Sequence, residues 1–148
     1  MTGIVRAGPE DAARLAALHA RCFPHGWSER DIAALLRQPA VIGFAAPEGF
    51  VLIRRVLDEA EILTICVDPE ARRSGLGGGL LDAAISEAAR QGALTIHLDV
   101  STENRAGQAL YSGRGFAETA RRKRYYADGS DAILMTKQIT PADPAAGV

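Results

Sequence analysis

The fold is decided by residues 61–85, which read EILTICVDPEARRSGLGGGLLDAAI. Apolar and β-branched side chains dominate residues 61–67, a pattern typical of a strand. From residue 80 to residue 88, leucine, isoleucine and alanine recur at helical spacing, and Gly92 is placed to close the helix. Between the two elements lies a basic, glycine-rich turn at residues 72–79. The sequence therefore predicts a strand, a turn and a helix in direct succession.

The predicted turn carries several groups that attract an anion. The first turn of a helix leaves backbone N–H groups unpaired, and the helix dipole adds partial positive charge there. Gly75 and Gly77 let the backbone approach a phosphate without obstruction by a Cβ atom. Arg72 and Arg73 raise the local positive potential. We expect a phosphate or pyrophosphate ligand; the alternative is a glycine-rich helix start that only packs closely against the strand.

Two phosphate-binding schemes fit the turn poorly. A Walker-type P-loop requires a Gly-Lys-Ser/Thr sequence, and this turn contains no lysine. A dinucleotide-binding turn is better matched by Gly75 and Gly77, with Asp99 at the end of the next predicted strand. However, Leu80 occupies the third glycine position, and residues 68–71 separate the strand from the glycines. Nucleotide hydrolysis is therefore disfavoured, and dinucleotide binding is opposed by two details of the spacing.

The flanking sequence extends this unit into an α/β domain with a mixed sheet. Strands are predicted at residues 4–6, 41–45, 50–56, 61–67, 94–100, 116–126 and 132–138. Helices are predicted from Pro9 to near Pro24, from Ser28 to Pro39, from the glycine turn to Gly92, and at residues 104–111.

The composition describes one globular domain. The chain has 148 residues, a formal net charge of −1, 47% hydrophobic residues and 24% charged residues, which excludes collagen-like, disordered and disulfide-scaffold proteins. We expect a single domain at residues 1–139 and a disordered tail at residues 140–148. No stretch approaches the roughly 18 uninterrupted apolar residues of a spanning helix. Charges between Arg6 and Arg14 interrupt any signal peptide, so we expect a cytoplasmic protein.

Metal and redox chemistry is not predicted. Cys22 and Cys66 are too far apart for a CxxC motif and are interpreted as small core residues. His19 and His25 have no partner at metal-ligand spacing, and His97 is interpreted as a satisfied or exposed strand residue. We therefore expect no metal, and a monomer or weak dimer.

A longer stretch around the turn resembles the acetyl-CoA motif of the GNAT superfamily of N-acetyltransferases, written Q/R-x-x-G-x-G/A. The resemblance covers residues 58–69 and 72–77 and continues through residues 104–111, 115–116 and 121–135. Within the superfamily, the chain is most similar to the RimI-type ribosomal-protein alanine N-acetyltransferases. The resemblance implies an α/β fold of the mixed α+β kind, with a central, mostly antiparallel mixed sheet flanked by helices.

The same resemblance implies an enzyme that transfers acetyl from acetyl-CoA to a primary amine without a metal. The acceptor implied is the N-terminal α-amine of a protein, in particular the N-terminal alanine of a ribosomal protein, and Tyr125 and Tyr126 resemble an aromatic pair near the acceptor peptide. Two alternatives stay open: a small-molecule or lysine acetyltransferase of the same fold, and an acyl-CoA sensor without turnover. No nucleic-acid or membrane partner is expected, because the basic run at residues 121–124 is interpreted as a solvated strand edge.

The family match assigns coenzyme contacts to the strand, the turn and a segment further on. The pantetheine arm would run beside the backbone of Ile65, Cys66 and Val67. The pyrophosphate would bind N–H groups of the turn, from Arg73, Ser74, Gly75, Leu76, Gly77 and Gly78. Asn104 matches a further coenzyme contact.

The family match also assigns the catalytic pair. Tyr111 matches the tyrosine that protonates the departing sulfur, and a phenol is suited to donate to a thiolate. Asp99 stands where the RimI-type enzymes have a catalytic glutamate, so its carboxylate is one methylene shorter and can act through a bridging water. Glu59 and Glu61 are the reserve candidates for the base and for substrate binding.

Overall fold

The computed structural model describes residues 3–139, and the tail predicted at residues 140–148 lies outside the described residues. The helices are α1 (Ala12–Cys22), α2 (Glu29–Arg37), α3 (Leu76–Arg90) and α4 (Arg105–Gly113). The strands are β1 (Val5–Ala7), β2 (Val41–Ala46), β3 (Gly49–Val56), β4 (Glu59–Val67), β5 (Thr95–Ser101), β6 (Ala117–Arg122) and β7 (Ala132–Gln138). The four predicted helices are confirmed. Within residues 3–139, none of the helices has the length and apolar character needed to cross a membrane.

The strands form one seven-stranded sheet in the order β1-β2-β3-β4-β5-β7-β6. β4 and β5 pair in parallel, and the other neighbours pair antiparallel. A parallel pair requires a long crossover, which α3 provides between β4 and β5. This topology confirms the predicted mixed, mostly antiparallel sheet flanked by helices.

Alternating residues of β3 divide the core between the two faces of the sheet. Val51 and Ile53 belong to an apolar cluster with α3, whereas Phe50 and Leu52 belong to a cluster with α1 and α2. All four side chains are fully buried. Because successive side chains of a strand point to opposite faces, α3 covers one face and the pair α1 and α2 covers the other.

α2 begins at a side-chain cap that the sequence pattern predicts. Oγ of Ser28 accepts a hydrogen bond from the N–H of Asp31 at 3.1 Å, which satisfies one of the free donors of the first helical turn. The helix ends at Arg37, shortly before Pro39. The cap fixes the start of α2 and so places Trp27, the residue before the cap, at the N-terminal end of this helix.

The strand predicted at residues 116–126 is wrong in its second half. β6 ends at Arg122, and the following residues form a loop that leads to β7. Arg124 adopts a left-handed conformation with φ of +51°, and its N–H donates to Oδ1 of Asp131 at 3.0 Å, so the chain turns away from the sheet. Only the first two residues of the basic run therefore lie on a strand edge, and the two tyrosines that follow lie in the loop.

β4 contains a bulge where it pairs with β3. The antiparallel register joins Leu52 to Thr64 and Ile53 to Ile62, which leaves Leu63 as the extra residue. A bulge bends its strand and re-aims the side chains that follow. The bulge lies in the middle of β4, close to the point where the pairing of β4 with β5 ends.

β4 and β5 pair only over a short stretch. Their parallel register joins Glu59–Glu61 to Thr95–His97 and, within the described residues, stops there. Both strands continue beyond it, β4 to Val67 and β5 to Ser101. The sheet therefore has a gap between the second halves of two neighbouring strands.

The backbone of β4 turns hydrogen-bonding groups towards this gap. The N–H of Asp68 donates to the C=O of Glu48, on the β3 side, at 2.7 Å. Because N–H directions alternate along a strand, the N–H groups of Val67 and Ile65 point to the opposite side, where β5 has separated. A ligand with amide groups can take the place of the missing strand at this edge.

Candidate active site

A cleft of about 430 Å³ opens where β4 and β5 separate. It is lined by Trp27, Leu35, Arg54, Glu61, Ile62, Leu63, Asp99, Tyr125 and Tyr126. The structure thus brings together four of the side chains predicted from the sequence, Glu61, Asp99, Tyr125 and Tyr126. Tyr111 lies outside the lining, and Glu59 lies at the paired end of the strands.

Asp99 projects from β5, where its backbone is paired with Leu134 of β7. Oδ1 of its carboxylate is buried and has no hydrogen-bond partner among the described residues. Buried polar atoms are nearly always satisfied by a partner, a water or a ligand. Asp99 also lines the cleft, so its carboxylate can accept a proton, directly or through a water, from a group that enters the cleft.

Two phenols are buried to different depths: Tyr126 lies near Asp99, and Tyr111 lies near Tyr126. Burial and, secondly, the charge of Asp99 raise the pKa of Tyr126 to about 12. Tyr111, on α4, is only 6% exposed and meets the ring of Phe116 edge-on at 6.0 Å between centroids. Burial and, to a smaller extent, Tyr126 raise the pKa of Tyr111 to about 12. Both phenols therefore hold their protons at neutral pH.

The two glutamates of β4 differ in their surroundings. Oε1 of Glu61 lies 3.5 Å from Nη2 of Arg54, so this carboxylate reaches the cleft already paired with a cation. Oε1 of Glu59 lies 4.0 Å from Nδ1 of His97, and its side chain is 61% exposed. Of the two carboxylates in the cleft lining, Glu61 is paired with a cation, and Asp99 has a buried oxygen without a partner among the described residues.

The glycine turn has the backbone conformation expected of an anion-binding turn. Arg73 and Gly75 adopt left-handed conformations, with φ of +68° and +86°. The first helical hydrogen bond runs from the N–H of Gly79 to the C=O of Gly75 at 3.0 Å. The N–H groups of Gly77 and Gly78, in the first turn of α3, therefore have no intrahelical acceptor and can bind a phosphate.

The turn lies next to the gap in the sheet. A Cβ atom placed on Gly77 would be 3.5 Å from Leu110 of α4 and 3.7 Å from Val67 at the end of β4. The start of α3, the end of β4 and α4 are therefore neighbours. One elongated ligand can reach both the N–H groups of the turn and the edge of β4, as an acyl-coenzyme A would require.

Asn104 has a visible structural role. It is the N-cap of α4, and its Oδ1 accepts a hydrogen bond from the N–H of Gly107 at 2.9 Å. This bond satisfies a free donor of the first helical turn. Asn104 thus fixes the start of the helix that carries Tyr111, and its predicted contact with a coenzyme stays a prediction.

Comparison with known proteins agrees with this geometry and shows the class of protein: an acetyl-CoA-dependent N-acetyltransferase. More particularly, the chain belongs to the acetyltransferase (GNAT) family, whose profile matches residues 12–116. The family predicted from the sequence is confirmed.

The most similar relatives include a ribosomal-protein acetyltransferase. The chain is 38% identical over 128 residues to the ribosomal protein bS18-alanine N-acetyltransferase of Escherichia coli strain K12, which covers 82% of this chain and 85% of the relative. The crystal structure of the ribosomal-protein-S18-alanine N-acetyltransferase from Escherichia coli matches with a TM-score of 0.87 and 33% identity, covering 97% of both chains. The crystal structure of Ard1 from Thermoplasma volcanium matches with a TM-score of 0.83 and 27% identity, covering 92% of this chain and 96% of that chain.

The sequence did not predict part of the cleft wall. The residues missed are Trp27, Leu35, Arg54, Ile62 and Leu63. Of these, only Trp27 carries a signal in the sequence, because it is the single tryptophan of the chain and directly precedes the capping serine of α2. The others come from α2, β3 and β4, and their positions in the sequence have no distinctive pattern.

Proposed function

We propose that this chain acetylates the N-terminal α-amine of a protein that begins with alanine, in the cytoplasm, and that its substrate is a ribosomal protein. The observation that carries the proposal is the buried, unpartnered carboxylate oxygen of Asp99 in the wall of a cleft beside the open edge of β4. The name and 38% identity of the Escherichia coli relative support the acceptor.

The coenzyme site proposed is the gap together with the glycine turn. The backbone groups of β4 from Ile65 to Val67 bind the pantetheine arm, whose amide groups take the place of a neighbouring strand. The N–H groups of residues 73–78 bind the diphosphate. Asn104 holds the adjoining helix in place and contacts the coenzyme. Acetyl-CoA supplies the activated acetyl group, and the chain supplies its position.

The acceptor site proposed is the cleft. Tyr125, Tyr126 and Glu61 line the space in which the first residues of the acceptor lie. The carboxylate of Asp99 takes the proton that the α-ammonium must lose before its nitrogen can attack, either directly or through one water. A neutral amine results, which is the nucleophile that acetyl transfer requires.

Tyr111 is proposed as the acid that completes the reaction. Its phenol is protonated at neutral pH, and burial raises its pKa to about 12. When the thioester bond breaks, the phenol donates its proton to the sulfur, and the leaving thiolate is neutralised. Asp99 and Tyr111 thus move protons at opposite ends of the transfer.

A peptide panel tests this function. Purified protein is incubated with acetyl-CoA and with peptides that differ only in their first residue, alanine, serine or methionine, together with an N-blocked peptide that contains an internal lysine. Mass spectrometry of the products is expected to show acetylation of the alanine α-amine in preference to the others. Modification of the internal lysine alone would favour a lysine acetyltransferase, and calorimetric binding of acetyl-CoA with no product would favour a sensor.

A further inference from the structure

His19 is a buried histidine that takes no part in the proposed chemistry. It lies in the last turn of α1 and is 3% exposed. Its Nδ1 accepts a hydrogen bond from the backbone N–H of Trp27 at 3.0 Å, and its Nε2 lies 3.2 Å from Oγ1 of Thr64 on β4. Because Nδ1 is an acceptor, the neutral ring carries its hydrogen on Nε2 and donates it to Thr64. The imidazole therefore links the segment before α2 to the second half of β4.

The segment between α1 and α2 is folded tightly against this histidine. The rings of His19 and Trp27 stack with centroids 4.7 Å apart, and Phe23 packs on the same imidazole at 4.5 Å. A Cβ atom on Gly26 would lie 2.8 Å from Cα of Ala20, a distance that real Cβ atoms do not show. The segment thus lies on the backbone of α1, with the imidazole as its polar anchor.

Trp27 separates two cavities. On one side lies the cleft with Asp99, and on the other lies a cavity of about 350 Å³ lined by residues of α2, among them Asp31, and by Gln38 after the helix. Trp27 and Leu35 line both cavities. A shift of the indole into either space changes the width of the cleft directly, so the position of Trp27 decides how well an acceptor fits.

We propose that His19 is a positioning residue for the acceptor site. Its Nδ1 accepts a hydrogen bond from the N–H of Trp27, and this bond fixes the indole as one wall of the cleft. The proposal rests on the proposed function for the identity of the cleft as the acceptor site. It assigns His19 an effect on acceptor binding, separate from the coenzyme site in the gap.

Two isosteric substitutions separate the two hydrogen bonds of the ring. His19→Asn places a carbonyl oxygen near the position of Nδ1 and can still accept from Trp27. His19→Gln places an amide nitrogen near the position of Nε2 and keeps only the bond to Thr64. With an alanine-first peptide, His19→Gln is expected to raise the acceptor KM about tenfold, and His19→Asn is expected to stay within about threefold of wild type. The KM for acetyl-CoA is expected to change less than twofold in both.

Two further variants serve as control and as independent test. His25→Asn changes an exposed histidine of the same segment and is expected to leave the acceptor KM unchanged. Gly26→Ala forces the segment away from Ala20 while His19 stays intact, and it is expected to raise the acceptor KM as His19→Gln does. Gly26→Ala therefore tests the position of the segment even where a His19 variant does not fold.

Trp27 supplies a readout that does not need activity. It is the single tryptophan of the chain, so the fluorescence emission of the protein reports this position alone. His19→Gln and Gly26→Ala are expected to shift the emission maximum to longer wavelength, and further than His19→Asn, which also loses the stacked imidazole but keeps an acceptor for the N–H of Trp27. Equal acceptor KM values and equal emission maxima for His19→Asn and His19→Gln would overturn the proposal, as would a parallel rise in the KM for acetyl-CoA. If wild type acetylates no peptide, the proposed function fails, and the emission maxima alone decide the role of His19.

Discussion

The two halves of β4 differ both in sequence and in pairing. Over Glu59–Glu61, the strand is paired on both sides, with β3 and with β5. From Ile62 to Val67, it is paired with β3 alone, and its other edge faces the gap. The first half is paired along both edges, whereas the second half leaves one backbone edge open, which is the edge proposed for the coenzyme. One strand can therefore serve both structure and binding, and pairing decides which.

The second half is held by side chains of α1 in place of a second strand. Besides the bond from His19 to Thr64, Sγ of Cys22 lies 3.3 Å from the C=O of Val67, and Arg21 binds both carboxylate oxygens of Asp68 at 2.9 and 3.0 Å. These contacts come from the last turn of α1 and all reach β4 or the residue after it. They attach the second half of β4 and the residue after it to α1.

The largest effect is expected from Asp99→Asn, which changes a residue of β5 beyond the point where β5 separates from β4. The amide cannot accept the proton of the acceptor, so kcat/KM is expected to fall about 1,000-fold. The dissociation constant for acetyl-CoA is expected to stay within about twofold, as measured by calorimetry. Glu59→Gln is the matched control at the paired end, and its kcat/KM is expected to match wild type. Retained activity in Asp99→Asn with loss in Glu61→Gln would transfer the role of base to Glu61.

The second-largest effect is expected on the free energy of unfolding and comes from the imidazole of His19, which binds the open half of β4. Burial lowers the pKa of His19 to about 4 from an ordinary value of 6.5. Between these values the unfolded chain binds a proton that the folded chain excludes, so the free energy of unfolding falls as the pH drops from about 6.5 towards 4 and is unaffected by His19 above 6.5. The loss expected is about 3 kcal/mol. Urea unfolding of wild type and His19→Asn across this range measures it, and a difference between them that does not change with pH would refute it.

A smaller effect is expected from Tyr111→Phe, which removes the proposed acid and keeps the ring against Phe116. We expect kcat to fall about 100-fold, because the sulfur must then leave as a thiolate or take its proton from water. Coenzyme affinity is expected to persist. Release of free thiol under saturating substrate measures the rate, and Tyr125→Phe, an exposed tyrosine of the cleft, is the comparison. An unchanged kcat in Tyr111→Phe would remove this residue from the mechanism.

The smallest effect is expected at the glycine turn, from Gly75→Ala. Gly75 has φ of +86°, where an alanine is strained, and relaxation of the turn is expected to weaken acetyl-CoA binding about tenfold. Gly92→Ala is a matched control, because Gly92 has φ of +95° after α3 and open space around it. Both variants are expected to lose similar stability, and only the first is expected to lose affinity. Equal affinities would separate the turn from coenzyme binding.

The sequence was sufficient to predict the helices and most of the strands, but it did not predict the gap between β4 and β5. Helical spacing and boundary residues predicted the helices, and runs of apolar and β-branched residues predicted β4 and β5, because these signals report which segments are buried. Neither signal reports whether a strand edge is paired, so the gap was not predicted. The strand predicted through residue 126 ended at Arg122, because the turn around Arg124 depends on a bond to Asp131 that no local pattern shows.

The candidate site also contains residues that were predicted from the sequence and residues that were not. Asp99, Tyr125 and Tyr126 were predicted by resemblance to a family, and the structure places all three at one cleft. Trp27 and Arg54 come to that cleft from distant parts of the chain, and their spacing in the sequence gives no sign of it. Long-range packing, which local periodicity does not encode, brings these residues together.

The central claim is that the coenzyme occupies the open edge of β4, and amide-resolved NMR tests it most directly. Titration of the labelled protein with acetyl-CoA is expected to shift the N–H resonances of Ile65 and Val67 and to slow their hydrogen exchange, and to leave those of the paired residues Glu59–Glu61 nearly unchanged. Saturating acetyl-CoA with no change at Ile65 and Val67 would contradict the claim.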